Sequence, residues 1–451
     1  MNYIIEIMGI FCIIGLSWNI LQYYKIGRSK LPLSYNWYSY SSAEIYAHEQ
    51  IYSQLISEIK VNDIIWVSMF MWLYKNKADL NNPNLQSLEL KLVQYLEQCN
   101  VTGTVFVDAI DFGYEVTPEK IAHHPLVRAT HGKLRWEVNY QPNSLPNNLL
   151  MWLFHTPWLQ NTINNTKYTI LHKIYALLKL SSNHQKILII NEGQKACIGS
   201  RNFNCSNWNN KDMLLVFQGI FAKVIYQAAA KTIANLNPRK KALVDSVLST
   251  NFKIKPINID LSRYTSINKM ARVLNTAEIK PTILYLINQS REINAELAIL
   301  TDTDIINALN NFLLRGGKLR LILDTNNYMF SFKTYNMPNV IPIVRLLSNA
   351  QVGIYNSSFQ MHTKMALFNL ANGNTVLLGG SANWSHGALR YFAFNDMNFI
   401  VLNDNNLNQR FMEIMDRDYK ECVLREQVRI PYKLLKICLT RIMLTIGINS
   451  W

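Results

Sequence analysis

His184-Gln185-Lys186-Ile187-Leu188-Ile189-Ile190-Asn191 and His362-Thr363-Lys364-Met365-Ala366-Leu367-Phe368-Asn369 are the two stretches on which the reading of this chain turns. Each sets His-x-Lys ahead of an apolar run closed by Asn. Each is followed by Gly-Ser-x-Asn, as Gly199-Ser200-Arg201-Asn202 and Gly380-Ser381-Ala382-Asn383. An acid lies downstream of each serine, Asp212 or Asp396. A rare polar pattern written twice implies an internal duplication whose two half-sites close on one another.

The flanks repeat as well. Ile64 to Phe70 and Gly103 to Asp108 read as apolar strands of the kind buried on both faces, with a helical segment over Leu85 to Gln98 between them. In the second half Ile293 to Leu300 reads as a strand, Asp304 to Leu314 as a helix stopped by Gly316-Gly317, and Lys318 to Asp324 as a strand. The His-x-Lys strands come next, over Lys186 to Ile190 and Lys364 to Phe368, and a further strand leads into each Gly-Ser-x-Asn. This alternation predicts an α/β fold of two pseudo-symmetric halves, each a mostly parallel sheet flanked by helices, sharing one central active site at strand ends. Residues 41 to 60 read as a surface helix, and 238 to 280 as the connection between halves.

The chain has 451 residues, 49% hydrophobic and 17% charged, which is a globular composition long enough for two domains. Its formal net charge of +15 favours anionic partners, whether phospholipid headgroups, a membrane surface or nucleic acid. Six cysteines without zinc spacing read as free thiols of a reducing compartment, and no ligand cluster offers itself to a metal. Tyr3 to Leu21 is almost wholly apolar and as a helix would rise about 28 Å, close to a bilayer core. The division expected is an N-terminal membrane anchor over 1–24, a first half over 25–255, a second over 256–425 and a basic amphipathic tail over 426–451. Lys25, Arg28 and Lys30 behind the anchor favour a cytoplasmic location for the bulk of the chain. An insert in the first half carries Leu149 to Phe154, Pro157-Trp158-Leu159 and a helix around Ile170 to Leu180. It reads as core or interdomain seam, or else as an apolar mouth for acyl chains.

His-x-Lys on a strand puts an imidazole and an ammonium on one face. Brought together, two such sets give two imidazoles, His184 and His362, beside a cage of Lys186, Lys364, Asn202, Asn383, Ser200 and Ser381. Such a cage suits a phosphodiester. One imidazole can attack phosphorus and carry the phosphoryl group while the other passes a proton to the leaving oxygen, and the cage stabilises charge on the non-bridging oxygens without a metal or cofactor. Asp212 and Asp396 are the acids to hold the imidazoles in the right tautomer. His48, His123, His124, His131, His155, His172 and His386 read as core or surface residues.

The paired pattern resembles the phospholipase D superfamily, over roughly residues 45 to 420. More narrowly, Leu321-Ile322-Leu323-Asp324, Asn336-Met337-Pro338-Asn339, His362-Thr363-Lys364-Met365 and Gly380-Ser381-Ala382-Asn383-Trp384 are similar to bacterial membrane-anchored proteins of the cardiolipin synthase type. The resemblance implies a two-step phosphohistidine mechanism on a phospholipid, with His184 as nucleophile and one chain sufficient for a complete site. It also implies that the acid expected at Asn191 and Asn369, a support of the site in the family, is replaced twice. The alternatives are a membrane-anchored nuclease, which Gly380 to Ser385 also resembles, and a weak or inactive relative that binds anionic lipid or nucleic acid.

Overall fold

The computed structural model describes residues 34–48, 50–69, 95–96, 98–108, 132–139, 183–203, 210–236, 240–250, 252, 255–261, 264, 269–324, 339–355, 360–385, 388–389 and 395–428. The expected anchor, the aromatic insert with its helix, most of the helix over Leu85 to Gln98 and the tail beyond residue 428 lie outside them. Among the described residues no helix is long and apolar enough to cross a membrane.

In chain order the described elements begin with β1 (Ser34–Ser39), β2 (Ser42–Ala47), α1 (Gln50–Glu58), β3 (Ile64–Met69), β4 (Thr102–Asp108), β5 (Leu134–Asn139), β6 (Lys186–Ile190), β7 (Lys195–Gly199), β8 (Met213–Gln218), α2 (Ile220–Leu236) and α3 (Lys241–Ser249). Then follow β9 (Ile257–Asp260), β10 (Met270–Asn275), α4 (Thr276–Gln289), β11 (Ser290–Leu297), α5 (Thr303–Leu314), β12 (Lys318–Asp324), α6 (Val340–Arg345), β13 (Gln351–Tyr355), β14 (Lys364–Leu370), β15 (Thr375–Gly380), β16 (Met397–Leu402), α7 (Asn405–Lys420) and β17 (Val423–Leu424). The seven-stranded sheet is ordered β5-β4-β3-β6-β7-β8-β2. The ten-stranded sheet contains the same succession as β13-β12-β11-β14-β15-β16-β10, extended at its ends by β17 and by β1-β9.

Both sheets are mixed, not mostly parallel as the alternation of elements suggested. β3-β4-β5 and β11-β12-β13 are parallel, while β3-β6, β6-β7, β7-β8, β8-β2 and their counterparts are antiparallel. The reason is loop length. A parallel return needs a crossover of a dozen or more residues, whereas β6 turns into β7 within Asn191–Gln194 and β14 into β15 within Ala371–Asn374. Asn191, Glu192 and Gly193 make the first turn with φ of 48°, 53° and 88°.

Three further expectations change. Residues 42–47 form a strand rather than the start of a helix, because Ser42 to Ala47 pairs along the whole of the apolar edge Met213 to Gln218 and tertiary pairing overrides local preference. The stretch 238 to 280 is more than a connection: it holds α3, β9 and β10, and β10 pairs with β16 over six residues. β1, early in the chain, pairs with β9 and β10 and so belongs to the second sheet.

The runs after each His-x-Lys are apolar throughout because both faces of their strands are covered. Ile187 and Ile189 join Phe217, Met365, Leu367 and Phe399 in a core shared by the two sheets. Leu188 and Ile190 face the other way, toward Ile51, Tyr52 and Leu55 of α1. In β14, likewise, Met365 and Leu367 face the shared core, while Ala366, Phe368 and Leu370 pack toward α4 and α5. Phe217 and Phe399 meet edge to face across the seam, with ring centroids 5.6 Å apart. This packing docks the two His-x-Lys strands face to face.

Candidate active site

The histidines stand just ahead of their strands rather than on them. Lys186 and Lys364 are the first residues of β6 and β14, and each ammonium turns back to donate to its own histidine's carbonyl, Lys186 Nζ to His184 O at 2.8 Å and Lys364 Nζ to His362 O at 2.7 Å. Backbone pairing between halves sets the rest. Lys211 forms a parallel bridge with Met361, and His362 N donates to Lys211 O at 2.7 Å. Asp212, next along, is thereby carried to the histidine of the other half.

The acids cross over. His362 Nδ1 lies 2.8 Å from Asp212 Oδ1, and His184 Nδ1 lies 2.7 Å from Asp396 Oδ1. A carboxylate accepts, so each Nδ1 carries a hydrogen and Nε2 is the nitrogen left to react. Neither half could orient its own histidine. The two pairs, with both lysines, form one site assembled from both halves, buried except at His362, whose side chain keeps 13% of its surface exposed.

The serines are not donors to a substrate, as the cage suggested. Ser200 Oγ donates to Asp212 Oδ1 at 2.6 Å and accepts from Met213 N at 3.1 Å. Ser381 Oγ donates to Asp396 Oδ1 at 2.7 Å and accepts from Met397 N at 3.0 Å. Each hydroxyl therefore aims its own acid at the histidine opposite. The preceding glycines allow the close strand approach this needs: a Cβ on Gly199 would lie 2.3 Å from Met213 O, and one on Gly380, at φ 145°, would lie 2.4 Å from Asn398 Oδ1. Asn202 and Asn383 are buried, and their Oδ1 atoms have no hydrogen-bond partner among the described residues.

Burial, and then Lys186, push the His184 imidazole down to about 3 against the pull of Asp396, and Lys364 adds to the fall. Burial and Lys364 push His362 down to about 4 against Asp212, with Lys186 adding. Each lysine thus bears on both histidines. Burial lowers Lys364 to about 8, opposed by Asp212, Asp396 and Asp324. Burial alone would raise the Asp212 carboxyl, but His362, and then Arg201 and Lys364, hold it well below the usual carboxylate range. At neutral pH both imidazoles are neutral and the lysines supply positive charge, which is an environment for an anion.

Asn191 and Asn369 lie at the far ends of their strands from the histidines. Asn191 Oδ1 accepts from Ile64 N at 2.9 Å and its Nδ2 donates to Asp63 Oδ1 at 2.7 Å, tying β6 to the start of β3. Asn369 Nδ2 donates to Glu292 Oε2 at 3.1 Å, at the matching place between β14 and β11. Several supports had escaped notice in the sequence. Thr276 Oγ1 accepts from Asp396 N at 2.9 Å, and Asn339 clasps Leu300 N, Ala298 O and Asp324 O. His48 is a core residue, but a placed one: Nδ1 lies 3.1 Å from Asp212 O and Nε2 lies 2.6 Å from Asp418 Oδ2. Arg201, read only as the variable residue of Gly-Ser-x-Asn, reaches Asp212 Oδ2 at 3.3 Å. Its departure from the Ala382 of the second copy was the one available signal. Among the described residues no group of three or more histidine, cysteine, aspartate or glutamate side chains is arranged to hold a metal ion.

The model of the family described as "Cardiolipin synthase, PLD-like domain" matches residues 283–419. No curated protein matches in sequence. Phosphatidylserine synthase of Haemophilus influenzae superposes with a TM-score of 0.51 at 11% identity, over 95% of this chain and 98% of that one. Polyphosphate kinase of Porphyromonas gingivalis gives 0.45 at 12% identity over 84% of this chain, which spans 50% of the kinase. The phospholipase D family member Nuc of Salmonella typhimurium gives 0.29 at 17% identity, over 35% of this chain and 98% of its own. At such identities the likeness is one of fold, shared with the synthase along nearly the whole of both chains. Residues 283–419 thus match the cardiolipin synthase, PLD-like domain, in a chain that shares its fold with the synthase and brings two His-x-Lys and Gly-Ser-x-Asn sets together in one site.

Proposed function

We propose that the chain transfers or hydrolyses the phosphodiester of a phospholipid through a phosphohistidine. The crossed pairing of His184 with Asp396 and of His362 with Asp212 carries this reading, because it orients two imidazoles at one site beside two lysines. His184 Nε2 attacks phosphorus, the bond from phosphorus to the leaving alcohol breaks, and His362 gives that oxygen its proton. His362 then takes a proton from an acceptor alcohol or water, whose oxygen attacks the phosphohistidine and releases His184. Lys186, Lys364, Asn202 and Asn383 are positioned for the non-bridging oxygens. A bound phosphodiester anion offsets the lysines and raises the proton affinity of His362, so that it can serve as the acid.

A phospholipid is favoured by the family description matched, by the apolar run Tyr3 to Leu21 and by the aromatic insert. On this reading the chain is anchored by its N-terminus, works from the cytoplasmic face of a membrane, and is complete as a monomer. The net charge of +15 favours nucleic acid as the second reading. Purified full-length protein is incubated with phosphatidylglycerol vesicles and, separately, with single-stranded DNA. Conversion of the lipid, lost in His184→Ala, is the expected result. Cleavage of DNA alone, lost in the same variant, would replace the lipid reading with the nuclease, and inertness toward both would leave an anion-binding relative.

A further inference from the structure

Asp212 and Asp396 occupy repeated positions in unlike surroundings. Each takes a serine hydroxyl from its own half and a histidine Nδ1 from the other. Asp212 Oδ2 also accepts from the guanidinium of Arg201, Nη1 at 3.3 Å, and neither side chain has exposed surface. Arg201 is held by the carbonyl of Asn210 at 3.3 Å and lies over the ring of Tyr52 at 5.1 Å. The second copy has Ala382 at this place, and Asp396 Oδ2 has no hydrogen-bond partner among the described residues. A guanidinium keeps its charge at any pH the protein survives, and a cation on the far oxygen of a carboxylate weakens that carboxylate's hold on an imidazolium.

We propose that Arg201 is a positioning residue that makes the two duplicated histidine–aspartate pairs unequal: drawing on the charge of Asp212, it weakens that carboxylate's hold on a proton at His362, while Asp396 stays undivided for His184. The assignment deepens the phosphohistidine reading above and rests on it. Lys364 and Lys186 face His362 and also His184, each histidine having one lysine of its own and one from the other half. Asp396 and Asp324 face Lys364, and His48 meets Asp212 only at its carbonyl. Among the described residues the guanidinium on Asp212 Oδ2 has no counterpart on Asp396 Oδ2.

The test follows the histidines directly, by nitrogen NMR of the full-length protein in detergent with labelled histidine. In Arg201→Met the titration of His362 moves upward on the order of one pH unit, that of His184 stays, and Arg201→Lys keeps the original value. Where Arg201→Met does not fold, Arg201→Met with Asp212→Asn removes both members of the buried pair and strands neither charge. Its His362 should titrate above that of Asp212→Asn alone. An unmoved His362, or equal movement of both histidines, would overturn the proposal. With a phosphodiester that loses an alkyl alcohol, whose oxygen needs a proton to leave, the alkaline limb of kcat/KM in Arg201→Met should move upward and the acid limb should not. Movement of the acid limb alone assigns the proton donor to His184 and refutes the proposal. A shifted His362 in a protein silent toward the ester upholds the coupling and removes only the phosphohistidine reading.

Discussion

Replacing Asp396 by asparagine removes one charge from the site and little else. His184 Nδ1 and Ser381 Oγ both donate to Oδ1, at 2.7 Å each, while Oδ2 has no partner among the described residues. An asparagine that keeps its oxygen in place and puts its amide where Oδ2 was retains both hydrogen bonds. What is lost is the attraction between the carboxylate and the positive charge that grows on His184 as it attacks phosphorus. At about 4 Å and an effective dielectric of about 20 that attraction is roughly 4 kcal/mol, and the loss of charge assistance in the hydrogen bond alone is nearer 2 kcal/mol. The expected fall in kcat/KM is therefore roughly 30- to 1,000-fold. Asp212→Asn should cost a comparable amount, but through His362 and hence through the leaving group. Two synthetic phosphodiesters separate them, one losing p-nitrophenolate, which departs without a proton, and one losing an alkyl alcohol. The deficit of Asp396→Asn should be the same for both, and that of Asp212→Asn should shrink sharply for the p-nitrophenyl ester. The opposite pattern would mean that the crossed pairs serve the reverse roles, and equal dependence in both variants would refute the division of labour itself.

Other outcomes follow from the same geometry. Gly380→Ala sets a side chain at φ 145° and against Asn398 Oδ1, so a loss on the order of 3 kcal/mol or more is expected; an unchanged melting temperature would contradict the close approach. His362 is held at about 4, below its ordinary 6.5, so between those values the unfolded chain binds a proton that the folded one refuses. Its neutral burial thus costs nothing above about pH 6.5, and stability falls by about 3 kcal/mol as pH drops toward 4. Urea unfolding of His362→Gln should show a shallower acid decline than the parent. Asn191→Asp sets a carboxylate against Asp63, whose Oδ1 now accepts from the Asn191 amide at 2.7 Å. It should destabilise the fold by about 1–2 kcal/mol at pH 7, with relief in acid, while activity per folded molecule is kept. A gain in stability at neutral pH would show that Asn191 is a defect of the site rather than a partner of Asp63.

Much of the local structure was legible because local burial leaves a local record. Strands buried on both faces read as unbroken apolar runs, which located β3, β6, β12 and β14 to within a residue or two. α5 was legible from its period and the glycines behind it, and Asp302 caps it with hydrogen bonds to Asp304 N and Ile305 N. Residues 42–47 were misread because their partner, β8, lies far along the chain, and the sense of the sheets was misread because it depends on turn length and on which edge receives the next strand.

The duplicated His-x-Lys and Gly-Ser-x-Asn sets, and so the membership of both histidines, both lysines and both acids in one site, were determined by the sequence alone. Which acid serves which histidine was not. His184 and Asp396 are 212 positions apart, and His362 and Asp212 are 150 apart. Spacing places each acid beside its own serine, which is where the serine holds it. Only the docking of two apolar sheet faces through Phe217, Phe399 and their neighbours turns each acid toward the histidine of the other half. The same docking gives Arg201 an influence on His362 that no neighbour in the chain could predict, because a buried charge acts through space rather than along the sequence.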